Sequence, residues 1–496
     1  MKKHLFILIL LPIFALPGCE KAEDINFNPA PAEEETEAPA VIAPSADSKN
    51  GIKEEEKISL PSHPLPAPSY LAAEGENKNL TLPAASPSAI VPPSAPAEEP
   101  SVFDFVLGQN LYQTPTLAMP AKNAPIFEPT FNTKIVRATD RKIDGYSDAG
   151  IENEYSRTDP ENSDETYYIL RGNYGNWYLY RRRDNKLIKK LEIVGGGQEP
   201  EPRWDAQNPN IFYYLYATEL RSYNIETDVS AKIHDFNFPN IAYVTTRTEG
   251  DASLDRRYWC LLLQDADYNT KKIITYDKIT DKIIGQKTDF LGDVDWASMD
   301  MSGNYCVIGY GSRNAQIFSR NLSTMKDLPA GASGHMDLAL DANGRDVVVY
   351  QNNATDFIAM ADLETGRETP LVFIPFNVNA DIGLHFSGNN AKIPGWALVS
   401  TYGSQNPPEG ETHSWMDNQL FMVELRAEPR VWRLAMTRAY LSRNPATEKN
   451  YFAESFATVN TAGTRIYFGS NWGDFSPDYT ETYIINLPAG WQNNIK

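Results

Sequence analysis

The chain has 496 residues and a formal net charge of −20, from 45 Lys and Arg against 65 Asp and Glu. This acidic balance argues against nucleic acid as a partner, because a phosphate backbone is bound by basic surfaces. Hydrophobic residues make up 42% of the sequence and aromatic residues 11%, which is enough to build a large core.

The first 19 residues have the pattern of an export signal. Two lysines precede an apolar run over 5–16, which is shorter than the roughly 18 residues that a membrane-spanning helix needs. The run leads into Leu-Pro-Gly-Cys at 16–19, and this box resembles the signal of bacterial lipoproteins. The resemblance implies removal of 1–18 and a lipid anchor on Cys19, so we expect the membrane as one partner. Glu20 does not resemble the Asp that retains lipoproteins at the inner membrane, which favours the outer membrane. An ordinary secreted protein is the alternative.

The segment 19–100 is predicted to be a disordered, acidic, proline-rich linker. It contains the glutamate runs 33–35 and 54–56, repeated Ala-Pro pairs and almost no aromatic residues. Such a composition buries too little apolar surface to offset the entropy lost on folding. Because proline stiffens the chain and like charges repel, we expect this segment to act as a spacer.

Residues 101–496 repeat a pattern of alternating strand, polar turn and apolar strand. Clear copies are SMDMSGNYCVIGY at 298–310, ALDANGRDVVVY at 339–350 and TVNTAGTRIYFGS at 458–470. The turns recur about 40 to 48 residues apart over most of this region, which is the length of a four-stranded propeller blade. We predict an all-β domain, a β-propeller of seven blades, with six or eight as alternatives. A strand within 133–138 is expected to complete the blade that contains 483–487 and so to close the ring.

Two cysteines, Cys260 and Cys306, fall at matching positions in successive repeats. A disulfide requires Cα atoms within about 7 Å, and matching strands of neighbouring blades are normally farther apart. We therefore predict two buried free thiols.

The repeats resemble secreted bacterial propellers of the Tol type and of the oligogalacturonate-lyase-like type. The likeness rests on innermost strands that precede Ser302-Gly303 and Asn343-Gly344 turns. In these lyases, the resemblance implies, a histidine-rich strand before the last such turn binds a divalent metal. Another histidine removes the proton next to the sugar carboxylate, and an arginine helps to neutralise that carboxylate. The matching strand here, 453–460, has no histidine and carries Glu454 and Phe456 in that region.

Polar residues at the starts of the inner strands are expected to converge at the mouth of the central channel. The candidates are Arg203, Trp204, Asp205, Glu249, Asp251, Asp293, Asp295, His335, Asp337, His385 and Glu454. Carboxylates and imidazoles at His335, His385 and Asp337 would suit a divalent cation such as Ca²⁺ or Mn²⁺. A sugar stacked on Trp204 or Trp415 is the other occupant that we expect.

A structural role is also sufficient to explain the histidines. His335 and Asp337 share a strand face, so a hydrogen bond that ties inner strands together accounts for both. Similarly, His385 is expected to satisfy a buried neighbour, and the arginines at 430, 433 and 438 are expected to be a solvated face.

Two functions are consistent with these features. The first is a monomeric binding propeller, lipid-anchored at the periplasmic or outer surface, that holds a polysaccharide or an envelope protein at its channel mouth. The second is a β-eliminating lyase or hydrolase of acidic polysaccharide, with His335 or His385 as general base. The absence of a histidine in 453–460 leads us to favour binding.

Overall fold

The computed structural model describes residues 103–290, 292–378, 382–403, 412–441 and 450–495. The predictions for the signal peptide, for Cys19 and for the linker up to residue 100 lie outside these residues. Within them, no helix is both long enough and apolar enough to cross a membrane.

Over the described residues, the strands form seven antiparallel sheets, which are the blades of a β-propeller. The prediction of an all-β propeller with seven blades is therefore confirmed, and the alternatives of six and eight blades are excluded. In blades 1 to 6 the strands follow chain order outward from the axis, and the first strand of blade 6 contacts the first strands of blades 5 and 7.

Two strands precede the first three blades, and every strand of these blades follows in chain order. They are β1 (Pro125–Phe127) and β2 (Lys134–Arg137); in blade 1, β3 (Ile151–Glu152), β4 (Tyr167–Gly172), β5 (Trp177–Arg181) and β6 (Lys186–Leu191); in blade 2, β7 (Arg203–Trp204), β8 (Ile211–Tyr216), β9 (Glu219–Asn224) and β10 (Val229–Asp235); in blade 3, β11 (Tyr243–Thr245), β12 (Tyr258–Gln264), β13 (Thr270–Asp277) and β14 (Lys282–Lys287).

The remaining strands build blades 4 to 7. They are, in blade 4, β15 (Val294–Met299), β16 (Tyr305–Tyr310), β17 (Gln316–Ser319) and β18 (Met325–Asp327); in blade 5, β19 (Met336–Leu340), β20 (Asp346–Asn352), β21 (Phe357–Asp362) and β22 (Glu368–Phe373); in blade 6, β23 (Gly383–Ser387), β24 (Trp396–Tyr402), β25 (Gln419–Glu424) and β26 (Val431–Met436); in blade 7, β27 (Thr458–Val459), β28 (Arg465–Ser470) and β29 (Glu481–Asn486). The helical segments among the described residues are short: α1 (Arg141–Asp144), α2 (Trp491–Asn494) and two 3-10 turns at Arg182–Asp184 and Tyr451–Ala453.

The middle strands read as continuous apolar runs because each blade is packed between two others. In β20, Val347 and Val349 join a buried cluster with blade 6, whereas Val348 and Tyr350 join a cluster with blade 4. Successive side chains of a strand point to opposite faces, so one strand supplies both interfaces. Burial of each such side chain stabilises the fold by about 1.5–3 kcal/mol.

The ring is closed by a strand from the N-terminal side of the domain. β2 pairs with β29, with Ile135 opposite Ile485, and β1 pairs with β2 to give blade 7 five strands. Ile135 is fully buried in the cluster that this blade shares with blade 6. The predicted closure by 133–138 is confirmed.

A short segment before β1 covers the outer edge of blade 6. The amide of Gly108 donates to the carbonyl of Val431 at 2.9 Å, and the amide of Arg433 donates to the carbonyl of Val106 at 2.9 Å. Phe105 stacks on Trp432 with ring centroids 5.2 Å apart. The carbonyl of Val431 and the amide of Arg433, at the outer edge of β26, are therefore satisfied within the chain.

The prediction of two free thiols is wrong. Cys260 in β12 and Cys306 in β16 form a disulfide, with their Cα atoms 5.6 Å apart. Both residues lie in the cluster between blades 3 and 4, because the second strands of these blades face each other there. The separation falls within the reach of a disulfide, so the assumed distance between blades was too large.

Candidate functional site

The propeller axis has two chemically different ends. At one end of the axis, a turn joins the first strand of each blade to the second strand. We call this end the turn end and the opposite end the entry end. The turns are built locally: in blade 5, the Asp341 carboxylate accepts from the amides of Asn343 and Arg345 at 2.8 and 3.0 Å. Gly344 in this turn has φ +74°, a left-handed conformation that glycine adopts without strain.

A cavity of about 550 Å³ opens at the turn end, and residues of all seven blades line it. We call it the turn-end cavity. Its wall includes Asp159, Glu161, Trp204, Asp205, Leu254, Arg256, Met301, Leu340, Lys392 and Thr461. Lys392 is exposed and Leu254 is 39% exposed at its rim, so the cavity is accessible from solvent. Its volume lies within the range of small-ligand sites.

Trp204 and Asp205 belong to this cavity, but both are also held by the fold. The buried indole of Trp204 donates to the carbonyl of Pro160 at 2.8 Å. Asp205 accepts from the amide of Asn208 at 2.7 Å and from the hydroxyl of Tyr213 at 2.6 Å. These bonds fix the two side chains in place before any ligand arrives.

Carboxylates dominate the charge of the turn-end cavity. Its lining residues include five acids, Asp159, Glu161, Glu165, Asp205 and Asp255, against the two bases Arg256 and Lys392. Glu161 is paired with Arg465 from blade 7. Burial, together with the neighbouring Glu161, raises the pKa of Asp159 to about 7. The wall therefore offers many hydrogen-bond acceptors and is unfavourable for a polyanion.

Below this cavity lies a smaller void of about 30 Å³, which we call the inner chamber. It shares Asp159, Arg256 and Thr461 with the turn-end cavity, and it is also lined by Arg157, Asp337, Asp251, Ala252, Ser298, Leu338 and Asn389. The two spaces therefore adjoin along the axis.

Arg157 is one of the two arginines, with Arg256, that line the inner chamber. Its Nη2 pairs with Glu249 at 3.1 Å, and its guanidinium lies 4.2 Å from the centre of the Trp296 ring. Its Nη1 is buried and has no hydrogen-bond partner among the described residues. Burial raises the pKa of both Glu249 and Asp337 to about 7, and the charge of Arg157 opposes each rise.

At the entry end, His335 and His385 lie side by side with ring centroids 4.7 Å apart. His385 Nε2 is 3.1 Å from the Glu454 carboxylate, and the Tyr155 hydroxyl is 3.3 Å from His335 Nδ1. Tyr155 and Phe456 pack on the His385 ring. Burial lowers the pKa of His385 to about 3, and the positive charge of Arg157 contributes. His385 is therefore a neutral imidazole packed among aromatic side chains.

The residues that were predicted to converge at the mouth of the central channel lie in different regions of the structure. His335, His385 and Glu454 lie together at the entry end, Asp337 lines the inner chamber, and Trp204 and Asp205 line the turn-end cavity. Arg203 is buried between the blades, where it pairs with Glu154 and donates twice to the carbonyl of Gly250. Trp415 packs against Arg433 and Phe421 within blade 6 and lines neither space.

Sequence reasoning missed Arg157, Tyr155 and Asp159, which contribute to all three of these regions. They lie in the segment between β3 and β4. The signal that was available is an arginine and an aromatic residue just before a turn, where solvent exposure would have been the ordinary expectation.

The donors expected for a divalent cation do not form a metal site in the described part of the chain. No three or more His, Cys, Asp or Glu residues there come together at a spacing that would hold an ion. His385 Nε2 is engaged by Glu454, and Asp337 Oδ2 accepts from the amide of Gly388 at 2.7 Å. These groups fit a structural network better than a set of metal ligands.

Comparisons with known proteins place the fold but not the activity. No protein-family profile matches the sequence, and no curated protein matches it. Among solved structures, an oligogalacturonate lyase from Vibrio parahaemolyticus is 12% identical with a TM-score of 0.50, over 74% of this chain and 99% of that one. An oligogalacturonate lyase in complex with manganese is 13% identical with a TM-score of 0.51, over 75% of this chain and 97% of that one. At this identity the likeness establishes a shared propeller fold.

Proposed function

We propose that this chain is a monomeric, lipid-anchored binding propeller of the bacterial cell envelope that holds an uncharged polysaccharide segment in its turn-end cavity. The observation that carries the proposal is the cavity of about 550 Å³ at the axis, lined by all seven blades and open at its rim. A rigid scaffold with one large polar opening is a typical binding site.

The lining favours a hydroxyl-rich ligand. Asp205, Asn460 and Thr461 present hydrogen-bonding groups, and Leu254, Met301 and Leu340 give an apolar side on which a sugar ring can lie. The excess of carboxylates repels a polyuronate, so a neutral glycan is the better ligand. An anchor on Cys19 and a spacer over 19–100 would place this opening at a distance from the membrane surface.

The test is a titration of the full chain with soluble neutral polysaccharides and with a polyuronate, followed by calorimetry. We expect saturable binding of a neutral glycan that Leu254→Asp weakens at least tenfold by adding charge to the apolar rim. Ile279→Asp is the matched control, because Ile279 is 69% exposed and lies outside the cavity. Binding of the polyuronate alone, or of an envelope protein but of no glycan, would refute the proposal.

A lyase acting on acidic glycans is the second candidate. It is supported by the fold shared with two oligogalacturonate lyases and by the adjacent imidazoles at the entry end. Of these, His335 is the better general base, because it is half-buried whereas His385 is fully buried against Glu454. The ultraviolet absorbance of unsaturated sugar ends, measured with polyuronate and with or without Mn²⁺ or Ca²⁺, distinguishes the two. A cation-dependent increase that His335→Ala abolishes would establish the lyase.

A further inference from the structure

The hairpin between the second and third strands of blade 3, at the entry end, carries a tyrosine in a strained backbone conformation. The amide of Asp265 donates to the carbonyl of Asn269 at 3.0 Å, and the amide of Tyr268 donates to the carbonyl of Asp265 at 3.1 Å. Tyr268 has φ +63°, whereas the same position of the matching hairpin in blade 1 holds Gly175, with φ +80°. A bulky side chain in this left-handed region carries a cost that glycine avoids, so the Tyr268 ring needs a reason to be there.

Packing into the core is not that reason. Four aromatic residues in the described part of the chain have positive φ. Three of them pack inside the domain: Phe105 stacks on Trp432, and Phe456 and Trp472 are buried. Tyr268 is instead 47% exposed. Its strained conformation therefore presents an aromatic ring to solvent, and strain of this kind is often found where a protein holds a ligand.

The Tyr268 ring belongs to a continuous surface at the entry end of blades 2 and 3. It stacks on the Tyr243 ring, with centroids 5.1 Å apart and an angle of 6° between the ring planes. Gly197 lies against Tyr243, because a Cβ at this glycine would collide with the ring. Gly196 lies against Tyr216, because a Cβ there would be 3.1 Å from Cε2 of that ring. We call these five residues the tyrosine strip.

The tyrosine strip is open to solvent. Tyr216 is 39% exposed, and Gly196 and Gly197 are both exposed. Tyr243 covers one face of the Tyr268 ring, so the large exposure of Tyr268 comes from the other face. A tyrosine provides a rigid apolar face with a polar tip, and its ordering costs little conformational entropy. The two glycines allow a ligand to approach the backbone between the rings closely.

These features suit a chain of neutral sugar rings. A pyranose whose hydroxyls are equatorial has flat C–H faces that can stack on Tyr268, and its hydroxyls can reach the backbone at the glycines. β-1,4-linked glucan presents such rings in an extended chain. A proline-rich peptide instead docks in a groove lined by aromatic side chains, and the parallel contact of Tyr243 with Tyr268 leaves no groove between them.

The charged side chains beside the strip give no advantage to a polyuronate. Arg221 lies 5.9 Å from the centre of the Tyr216 ring and is paired with Glu219. Lys271, next to the blade 3 hairpin, is paired with Asp265 at 2.9 Å. Because both cations already have a carboxylate partner, a ligand carboxylate would have to compete for them.

We propose that the tyrosine strip is a second carbohydrate site, which binds neutral β-1,4-linked glucan with a sugar ring stacked on Tyr268. This site goes beyond the proposed function, because it lies at the opposite end of the blades from the turn-end cavity and shares no lining residue with it. The two sites can therefore be tested separately.

The test is affinity electrophoresis of the full chain in native gels that contain hydroxyethylcellulose, a soluble neutral β-1,4-glucan. Leu254→Asp serves as the background, because it disables the turn-end cavity. We expect this chain to be retarded still, and Tyr268→Asn to weaken its affinity about fivefold or more, which is the scale of one lost stacking contact. Cellohexaose should compete for the retardation.

Two measurements separate binding from folding. Asparagine tolerates positive φ, so Tyr268→Asn should leave the thermal denaturation midpoint unchanged or higher. Tyr174→Asn is the matched control, because Tyr174 is 59% exposed in the corresponding hairpin of blade 1 and lies outside the strip. It should leave the retardation unchanged.

Each other outcome is informative. Equal retardation with and without Tyr268→Asn, or an equal loss from Tyr174→Asn, overturns the site. Competition by poly-L-proline but not by cellohexaose assigns the strip to a proline-rich peptide and also overturns it. Retardation that Tyr268→Asn weakens and Leu254→Asp leaves unchanged upholds the strip and counts against the turn-end cavity. If hydroxyethylcellulose does not retard the Leu254→Asp chain, the strip is refuted while the turn-end cavity keeps its own test.

Discussion

Cys260 and Cys306 link two neighbouring blades through a disulfide between their second strands, with 46 residues of separation along the chain. The bond ties together two sheets that also meet through packed side chains and through backbone hydrogen bonds, such as that from the amide of Met299 to the carbonyl of Asp251. Its stabilising effect comes mainly from the restriction that it places on the unfolded chain.

Replacement of both cysteines by serine is expected to lower the free energy of unfolding by about 2–4 kcal/mol. Urea denaturation followed by tryptophan fluorescence measures the change. Unmodified protein in strong reductant should show the same loss. Two reactive thiols in the unfolded, unreduced Cys19→Ala chain would contradict the disulfide.

The free energy of unfolding is expected to fall as the pH rises from about 5 to 9. Burial raises the pKa of Glu154 to about 8 and that of Glu249 and Asp337 to about 7, although arginines oppose the rise in each case. A carboxyl whose pKa is higher in the folded state stabilises the fold while it is protonated, and this contribution is lost as the pH passes the folded pKa.

The pH dependence is measured by urea denaturation at a series of pH values. Asp337→Asn should flatten the decline near pH 7 because it removes one titrating group. Asp184→Asn is the control, because Asp184 is exposed in a hairpin and Arg181 lowers its pKa to about 2. A stability that is constant from pH 5 to 9 would rule out the buried, protonated carboxyls.

His385 is expected to remain neutral well below the pH at which a histidine normally ionises. Its folded pKa of about 3 lies below its ordinary value of 6.5, so stability is lost as the pH falls from 6.5 towards 3. The NMR resonance of the His385 ring, assigned with His385→Gln, should not shift between pH 8 and pH 5. A shift centred near pH 6.5 would place the ring in contact with solvent.

The closing strand is expected to be essential for the whole ring. Ile135→Ala removes a fully buried side chain opposite Ile485 and should lower the free energy of unfolding by about 2–5 kcal/mol. Val229→Ala, in a strand but 59% exposed, should change it by less than about 0.5 kcal/mol. Equal effects of the two substitutions in thermal denaturation would indicate that β2 does not close the ring.

The fold was predictable because its signal is repeated. Turns such as Asn343-Gly344, followed by buried strands such as Val347–Tyr350, recur at similar spacings over most of the domain, and each copy strengthens the interpretation of the others. The blade that the closing strand completes was predictable, because only one blade, the last in chain order, lacked a full set of strands from its own stretch of sequence.

The site was less predictable, because the pattern gives a residue's strand but not its depth along the axis. Trp204 follows Arg203 directly, yet Arg203 is paired with Glu154 between the blades and Trp204 reaches the turn-end cavity. Several inner strands are only two residues long, including β7 and β27, so alternation along them carries little information. The distance between Cys260 and Cys306 depends on how two sheets face each other, which no local pattern contains.

The segment that covers blade 6 has a mechanical consequence for a protein held by its N-terminal side. A pulling force applied before Phe103 reaches the hydrogen bonds of Val106 and Gly108 on β26 before it reaches the closing strand β2. These bonds and the contact of Phe105 with Trp432 bear the force first, and blade 7 bears none of it until they break. The contacts on blade 6 thus shield from such a force the strand pairing whose rupture would open the ring.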